Sequence, residues 1–490
     1  MVFTATMCVD IRSPARYKQA HLTGTNSSLR AMLRNRAHII KLYAFHATFW
    51  ALALLLTHAA FGAEGHTTAR SATVQAQQSS AQPGQAPQYV GPGGCSASSC
   101  HGGVRPRDDS RIRQNEYSIW VVQDRHSKAT QVLSNAVSVR MARILNLGRA
   151  DTAPKCLACH GLDIPPTQRA RSFEPNEGVT CENCHGAASQ WLGPHTRGDW
   201  SHEKSVQLGM YDTKDLVKRT ERCLSCHLGS KEKFVDHEMI AAGHPDLVFE
   251  LDSFSAVMPR HWKEPYDKDS WLGVRTWGTG QAVQLRESLV RVANRPVWPE
   301  YAELDCFACH HDLTPPDKSW RQERGYPHRR AGNPPWNMAR YAAFRQMAMV
   351  VDPEASKQLE ADMTKLAALI NELNPNRQEI SALTARAAGV ADSLARRMAA
   401  STYDPTMVVR LLRGISGDAE NISGQGVRSA EQAFMALDSL LIAYTKNAQL
   451  GNVNELRAVL NGMYQQLENP ATYQPARFAA EMRRFNGLLR

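Results

Sequence analysis

"CENCHGAASQWLGPHT" (Cys181–Thr196) places two cysteines two residues apart, a histidine directly behind the second, and another histidine, His195, ten residues further on. The same C-x-x-C-H pattern recurs as "CLACH" (Cys156, Cys159, His160), "CLSCH" (Cys223, Cys226, His227) and "CFACH" (Cys306, Cys309, His310). A fifth pair, Cys95 and Cys100 with His101, stands in "GPGGCSASSCHGG" (Gly91–Gly103), where four residues separate the thiols. All cysteines except Cys8 fall in these five pairs.

The spacing reads as covalent geometry. Two thiols add across the two vinyl groups of a haem, two intervening residues let both sulfurs reach one porphyrin edge, and the following histidine is carried under the ring to bind iron. Disulfides are the plain alternative for an exported chain, but they need no histidine behind the second cysteine. With 18 His in 490 residues, such a histidine is a roughly 4 % coincidence at each pair. Zinc ribbons pair two knuckles without needing the adjacent histidine, and a thioredoxin-like site needs one C-x-x-C rather than five. The expectation is five covalently attached haem c groups. In the fifth motif the small residues Ser96–Ser99 and the flanking glycines allow the longer spacing to close.

A second axial ligand on each iron decides between electron carriage and catalysis. Beyond residue 94 and the five attachment histidines, eight histidines remain. His126, in "EYSIWVVQDRHSKA", stands at the start of an expected helix over Lys128–Leu145. His195 is within reach of a haem at its own neighbouring motif. His237 and His244, seven apart, would share a helix face and serve two haems. His261 has Trp262 beside it to pack on a porphyrin. These five are the distal candidates; His202, His311 and His328 are weaker ones, and Met210, Met239 and Met258 are reserves. Trp262, Trp271, Trp277 and Trp298 read equally as haem walls or as an aromatic satellite core.

The formal charge is +10. Residues 1–63 hold seven of the Lys/Arg residues against one acid, and without them 50 basic face 46 acidic residues, which removes most of the electrostatic case for a nucleic-acid partner. "LYAFHATFWALALLLTHAAFGA" (Leu42–Ala63) follows a basic segment and ends in small residues, as an export signal does; a retained anchor is the alternative. The body of the chain is therefore expected outside the cytoplasm, in the periplasm or otherwise exported. Residues 64–94, rich in Gln, Ser, Ala, Gly and Pro, read as a flexible linker.

From about residue 336 there is neither cysteine nor histidine, and helical signals take over. Asp352-Pro353 and Asp404-Pro405 each set an N-cap acid before a first-turn proline. Leu359, Met363, Leu366, Ile370 and Leu373 form an apolar stripe at helical spacing, and "SAEQ" (Ser429–Gln432) has capping-box form. The fold class expected is mainly α. Residues 1–63 form an N-terminal extension with the signal, 64–94 the linker, 95–335 a loop-rich multihaem domain and 336–490 a C-terminal α-helical bundle.

"GVTCENCHGAASQWLGPHT", "HEMIAAGHPDLVFELDSF" and "CFACHHDL" resemble the exported multihaem c-type cytochromes related to the tetrahaem electron carrier of ammonia oxidation, the cytochrome c-554 kind. The likeness covers roughly residues 95–330. It implies closely stacked, mostly bis-histidine haems that relay electrons between periplasmic partners, with His126, His195 and His244 as distal ligands. Relatives of that family include enzymes, hydroxylamine oxidoreductase and pentahaem nitrite reductase, but the C-x-x-C-K site of the latter is missing here. The function expected is electron relay between other redox proteins, with a membrane respiratory complex as a further candidate partner. The alternative is an oxidoreductase acting on a small nitrogen or sulfur compound at one five-coordinate haem.

Overall fold

The computed structural model describes residues 86–110, 112–230, 232–263, 270–294, 300–306, 309–310, 336–372 and 374–489. The N-terminal extension, the export segment, most of the linker, Trp298, His311, His328 and Leu373 lie outside the described residues. Among those described there are eighteen α-helices and no β-strand. Two isolated bridges, Tyr89 with Arg169 and Leu304 with Trp336, are the only β pairings among them. The chain is mainly α, and no described helix is long and apolar enough to cross a membrane.

The two aspartate–proline pairs start helices for the reason their chemistry gives. Asp352 accepts the Ala355 amide at 3.1 Å and opens the helix Pro353–Ile370; Asp404 accepts the Met407 amide at 2.8 Å and opens Pro405–Gly417. Proline at the first position forfeits only an amide that would have had no helical partner. Leu359, Met363, Leu366 and Ile370 then fall on the buried face. "SAEQ" does not cap: the helix Val427–Asn447 begins two residues earlier, behind Gly426 at φ 103°, and Ser429 is buried inside it. A glycine in the left-handed region turns the chain into the helix before the serine is reached.

The packing runs across the boundary that composition suggests. The helix Leu272–Ala293 precedes the expected boundary at 335, yet it packs along the helix Arg377–Ala400 and against Val427–Asn447. Its buried residues fall on every side, Val274, Trp277, Ala282, Leu285 and Leu289 among them, as befits a helix enclosed by others. Ala387, Ala391 and Ala395 form a fully buried small-residue row on Arg377–Ala400, which lets the two axes approach. Trp277 is thus a core residue of the bundle rather than a wall beside a haem motif.

This central helix also grips the cysteine region. Arg286 pairs with Glu221 at 2.6 Å on the helix Leu216–His227 and with Asp392 at 2.5 Å on Arg377–Ala400. Arg291 donates to the carbonyl of Leu228, one residue beyond His227, and pairs with the buried Glu303 at 2.6 Å. The "CLSCH" motif therefore ends against the bundle.

Candidate functional site

Three of the motif histidines are the last residues of short helices: Pro154–His160, Cys181–His185 and Leu216–His227. In "CENCH" the two intervening residues hold the motif in place. Glu182, 2 % exposed, accepts the amides of Val90, Gly91 and Ala188 at 2.8–2.9 Å. Asn183 accepts the Thr180 amide at 2.6 Å and donates to the carbonyl of Gly161, just beyond His160, at 2.9 Å. Gly178, at φ 82°, lies so close to the carbonyls of His126 and Ser127 that a Cβ there would stand 2.6–2.7 Å from them. Only glycine lets the opening stretch pack against the His126 turn. The longer first motif closes similarly: the amides of Cys100 and Gly102 both donate to Ala97, and the Ser96 carbonyl fills the space of a Gly102 side chain.

The histidines meet in pairs. Ring centroids of His101 and His195 are 6.1 Å apart and nearly parallel, at 4°. His126 and His227 are 6.2 Å apart at 90°, His160 and His244 6.3 Å at 77°, and His237 and His310 6.3 Å at 29°. Each pair joins one motif histidine to one of the separate candidates. For the remaining two no ring pairing is seen; burial, and then the charge of His261, bring the pKa of His185 down to about 4. An imidazole nitrogen sits about 2 Å from a bound first-row metal, so two imidazoles on opposite sides of one iron place their centroids about 6 Å apart. The four measured separations fit that arrangement.

The other ring nitrogen is tied down in the way a metal-binding imidazole requires. His101 Nδ1 bonds Glu116 at 3.0 Å and His126 Nδ1 bonds Asp124 at 2.9 Å. His160, His195, His244 and His261 donate from Nδ1 to the carbonyls of Ala129, Trp191, Pro245 and Pro259. A carbonyl can only accept, so Nδ1 carries the proton and Nε2 keeps its lone pair. His202 is the opposite case, with its Nε2 bonded to Asp212 at 2.8 Å.

Several expectations change. His195 faces His101 rather than its own motif. His237 and His244 lie beside the histidines of two different motifs, His310 and His160, but do not share a helix, because Gly243 at φ 119° ends His237–Ala242 first. The single helix expected over Lys128–Leu145 is two 3-10 turns followed by Ala136–Ile144, since the Asn135 side chain caps Ser138 and starts a fresh helix. Met210 packs with the Val90–Ala188–Trp191 cluster. The carboxylates Glu116, Asp124 and Glu182 went unremarked in the sequence. Only Asp124 gave a local signal, standing two residues before His126.

The motifs adjoin one another. The Cys95 thiol meets that of Cys181, lowering the first pKa and raising the second as the pair shares a proton; Cys226, brought down to about 5, meets Cys159 in the same way. Cys184 acts on Cys223, and His126 on His261. His237 and His244 lie on one short segment. The Cys95 motif thus adjoins that of Cys181, the Cys181 motif that of Cys223, and the Cys223 motif that of Cys156.

Five cysteine pairs with a trailing histidine, four of those histidines opposed by a second one, are the pattern of a c-type cytochrome, a protein that carries covalently bound haem and transfers electrons to and from redox partners. Residues 95–186, less than a fifth of the chain, match the family of cytochrome c554 and c-prime. That segment starts at Cys95 and contains the first three motifs, and the match supports a c-554-like family. No curated protein and no solved structure matches the chain.

Proposed function

We propose that the chain is an exported five-haem c-type cytochrome that relays electrons between redox partners. Its axial ligand pairs are His101/His195, His185/His261, His126/His227, His160/His244 and His237/His310. The observation that carries this reading is the set of four histidine pairs at 6.1–6.3 Å, each joining a motif histidine to one distant in sequence. Bound haem supplies one-electron chemistry. The chain's own residues would do the rest: the cysteines would attach each group, the paired histidines would hold its iron, and Glu116, Asp124 and four carbonyls keep six of those imidazoles with Nε2 free to ligate. An iron held by two histidines would have no open position for substrate, which would favour outer-sphere transfer of one electron from donor to acceptor over catalysis. The adjoining motifs support a relay. The Leu42–Ala63 segment supports export to the periplasm.

The test is a haem count on protein made in a host with c-type maturation, by pyridine haemochrome and by peptide mass. Five haems per chain are expected, including an adduct on Cys95 and Cys100. Fewer than four would sink the reading, and a Cys95–Cys100 disulfide would reduce it to four haems.

A further inference from the structure

Two of the motifs are joined by one side chain that plays no part in holding an imidazole. The helix Leu216–His227 ends on "CLSCH", and Gly229 at φ 88° turns the chain straight back: a Cβ there would stand 2.6 Å from the Lys233 carbonyl, which accepts the Ser230 amide at 2.6 Å. The turn returns Lys233 to the motif it has just left. Its ammonium lies 3.3 Å from the Cys226 sulfur and donates to the carbonyl of Ala158, inside "CLACH", at 2.8 Å. The Cys159 thiol adjoins that of Cys226, so the charge stands at the junction of two attachment sites. Among the described residues Lys233 pairs with no carboxylate. Lys155, on the same helix as Ala158, gives its charge to Asp236 at 2.6 Å instead.

We propose that Lys233 is a positioning and potential-setting residue for two haems at once, those carried on Cys156, Cys159 and His160 and on Cys223, Cys226 and His227. It ties one motif to the other and makes both haems easier to reduce. The inference rests on the relay reading above. Reduction adds one electron, and hence one negative charge, to a site; a cation beside the attachment sulfurs of both sites favours the reduced state of both. The groups that hold the ammonium are a backbone carbonyl and a sulfur that attachment to haem turns into a neutral thioether, so neither cancels its charge.

Spectropotentiometric titration of the fully haem-loaded protein, wild type against Lys233→Met and Lys233→Arg, tests this. In Lys233→Met two haems should each become about tenfold harder to reduce, about 59 mV for one electron, while the other three keep their midpoints. Lys233→Arg, which keeps the charge, should recover most of the loss. Unchanged midpoints in Lys233→Met at full haem content would overturn the proposal. An equal fall in both variants would overturn it as well, since the shape of the turn and not its charge would then be at work. A wild-type chain with no haem on Cys156 and Cys159 or on Cys223 and Cys226 is a different result, one that contradicts the relay reading itself.

Discussion

The helices beyond residue 336 and the cysteine region solve the problem of a core in opposite ways. In the bundle, Leu359, Met363, Leu366, Val408, Leu411, Ile415, Phe478 and Phe485 are completely buried by one another. The cysteine region has small apolar clusters, Val90 with Ala188 and Trp191, and Leu133 with Ala142 and Ala150. It leaves Val104, Val122, Val132, Val137, Val139 and Ile144 exposed. One region is closed by its own side chains; the other is a scaffold of short helices and turns around histidine pairs. Burying apolar area is the main favourable term in folding, so on the relay reading the haem faces are themselves the core of the cysteine region.

The largest effect should come from withholding haem. In protein produced without haem attachment, hydrogen exchange should find the amides of Pro353–Ile370 and Arg377–Ala400 protected and those of residues 95–227 unprotected. Equal protection of both would break the contrast. A smaller but still large loss should follow Glu182→Ala, which strips three buried amides of their acceptor. Leaving buried amides without an acceptor costs about 1 to 3 kcal/mol each, read as a fall in the denaturant midpoint of the holo-protein. A change within experimental error would show that haem, not Glu182, holds this part of the scaffold.

Glu250 tests the seam between the two regions. Fully buried, it caps Leu251–Val257 through the amides of Asp252 and Ser253 and meets Ser439 of the bundle at 3.3 Å. Burial, and then the neighbouring Asp252, raise its pKa to about 7. The native state therefore binds a proton that the unfolded state has already released, and stability falls as pH rises from about 4.5 to 7, by about 3 kcal/mol from this group. Glu250→Gln should flatten that slope, measured by denaturation at pH 5 and pH 7.5; an unchanged slope would contradict it. The smallest effect belongs to the bundle alone. Asp404→Ala removes one cap and should cost about 1 kcal/mol without altering the haem spectrum, and a spectral change would mean that the two regions are more tightly coupled than the packing implies.

What could be read from the chain follows from how local each signal is. A haem-attachment motif spans five consecutive residues, seven in the case of Cys95–His101, so the motifs stand complete in the sequence. Caps such as Asp352-Pro353 are equally local. The partner of each motif histidine is not: His101 and His195 lie 94 residues apart and meet only in the folded chain. The five candidates were identifiable by type and setting, but their pairing needed the fold, and His195 was expected at the wrong motif. The central helix Leu272–Ala293 escaped notice for a related reason. Its buried residues include Gly278, Thr279, Gly280, Gln281 and Gln284, so no single apolar face announces it.

The central claim is that every iron is held between two histidines. Electron paramagnetic resonance of the fully oxidised, haem-loaded protein addresses it most directly. The account predicts five low-spin haems, unchanged by nitrite, hydroxylamine or cyanide. A high-spin signal that responds to any of these ligands would contradict it and reveal a five-coordinate, catalytic site.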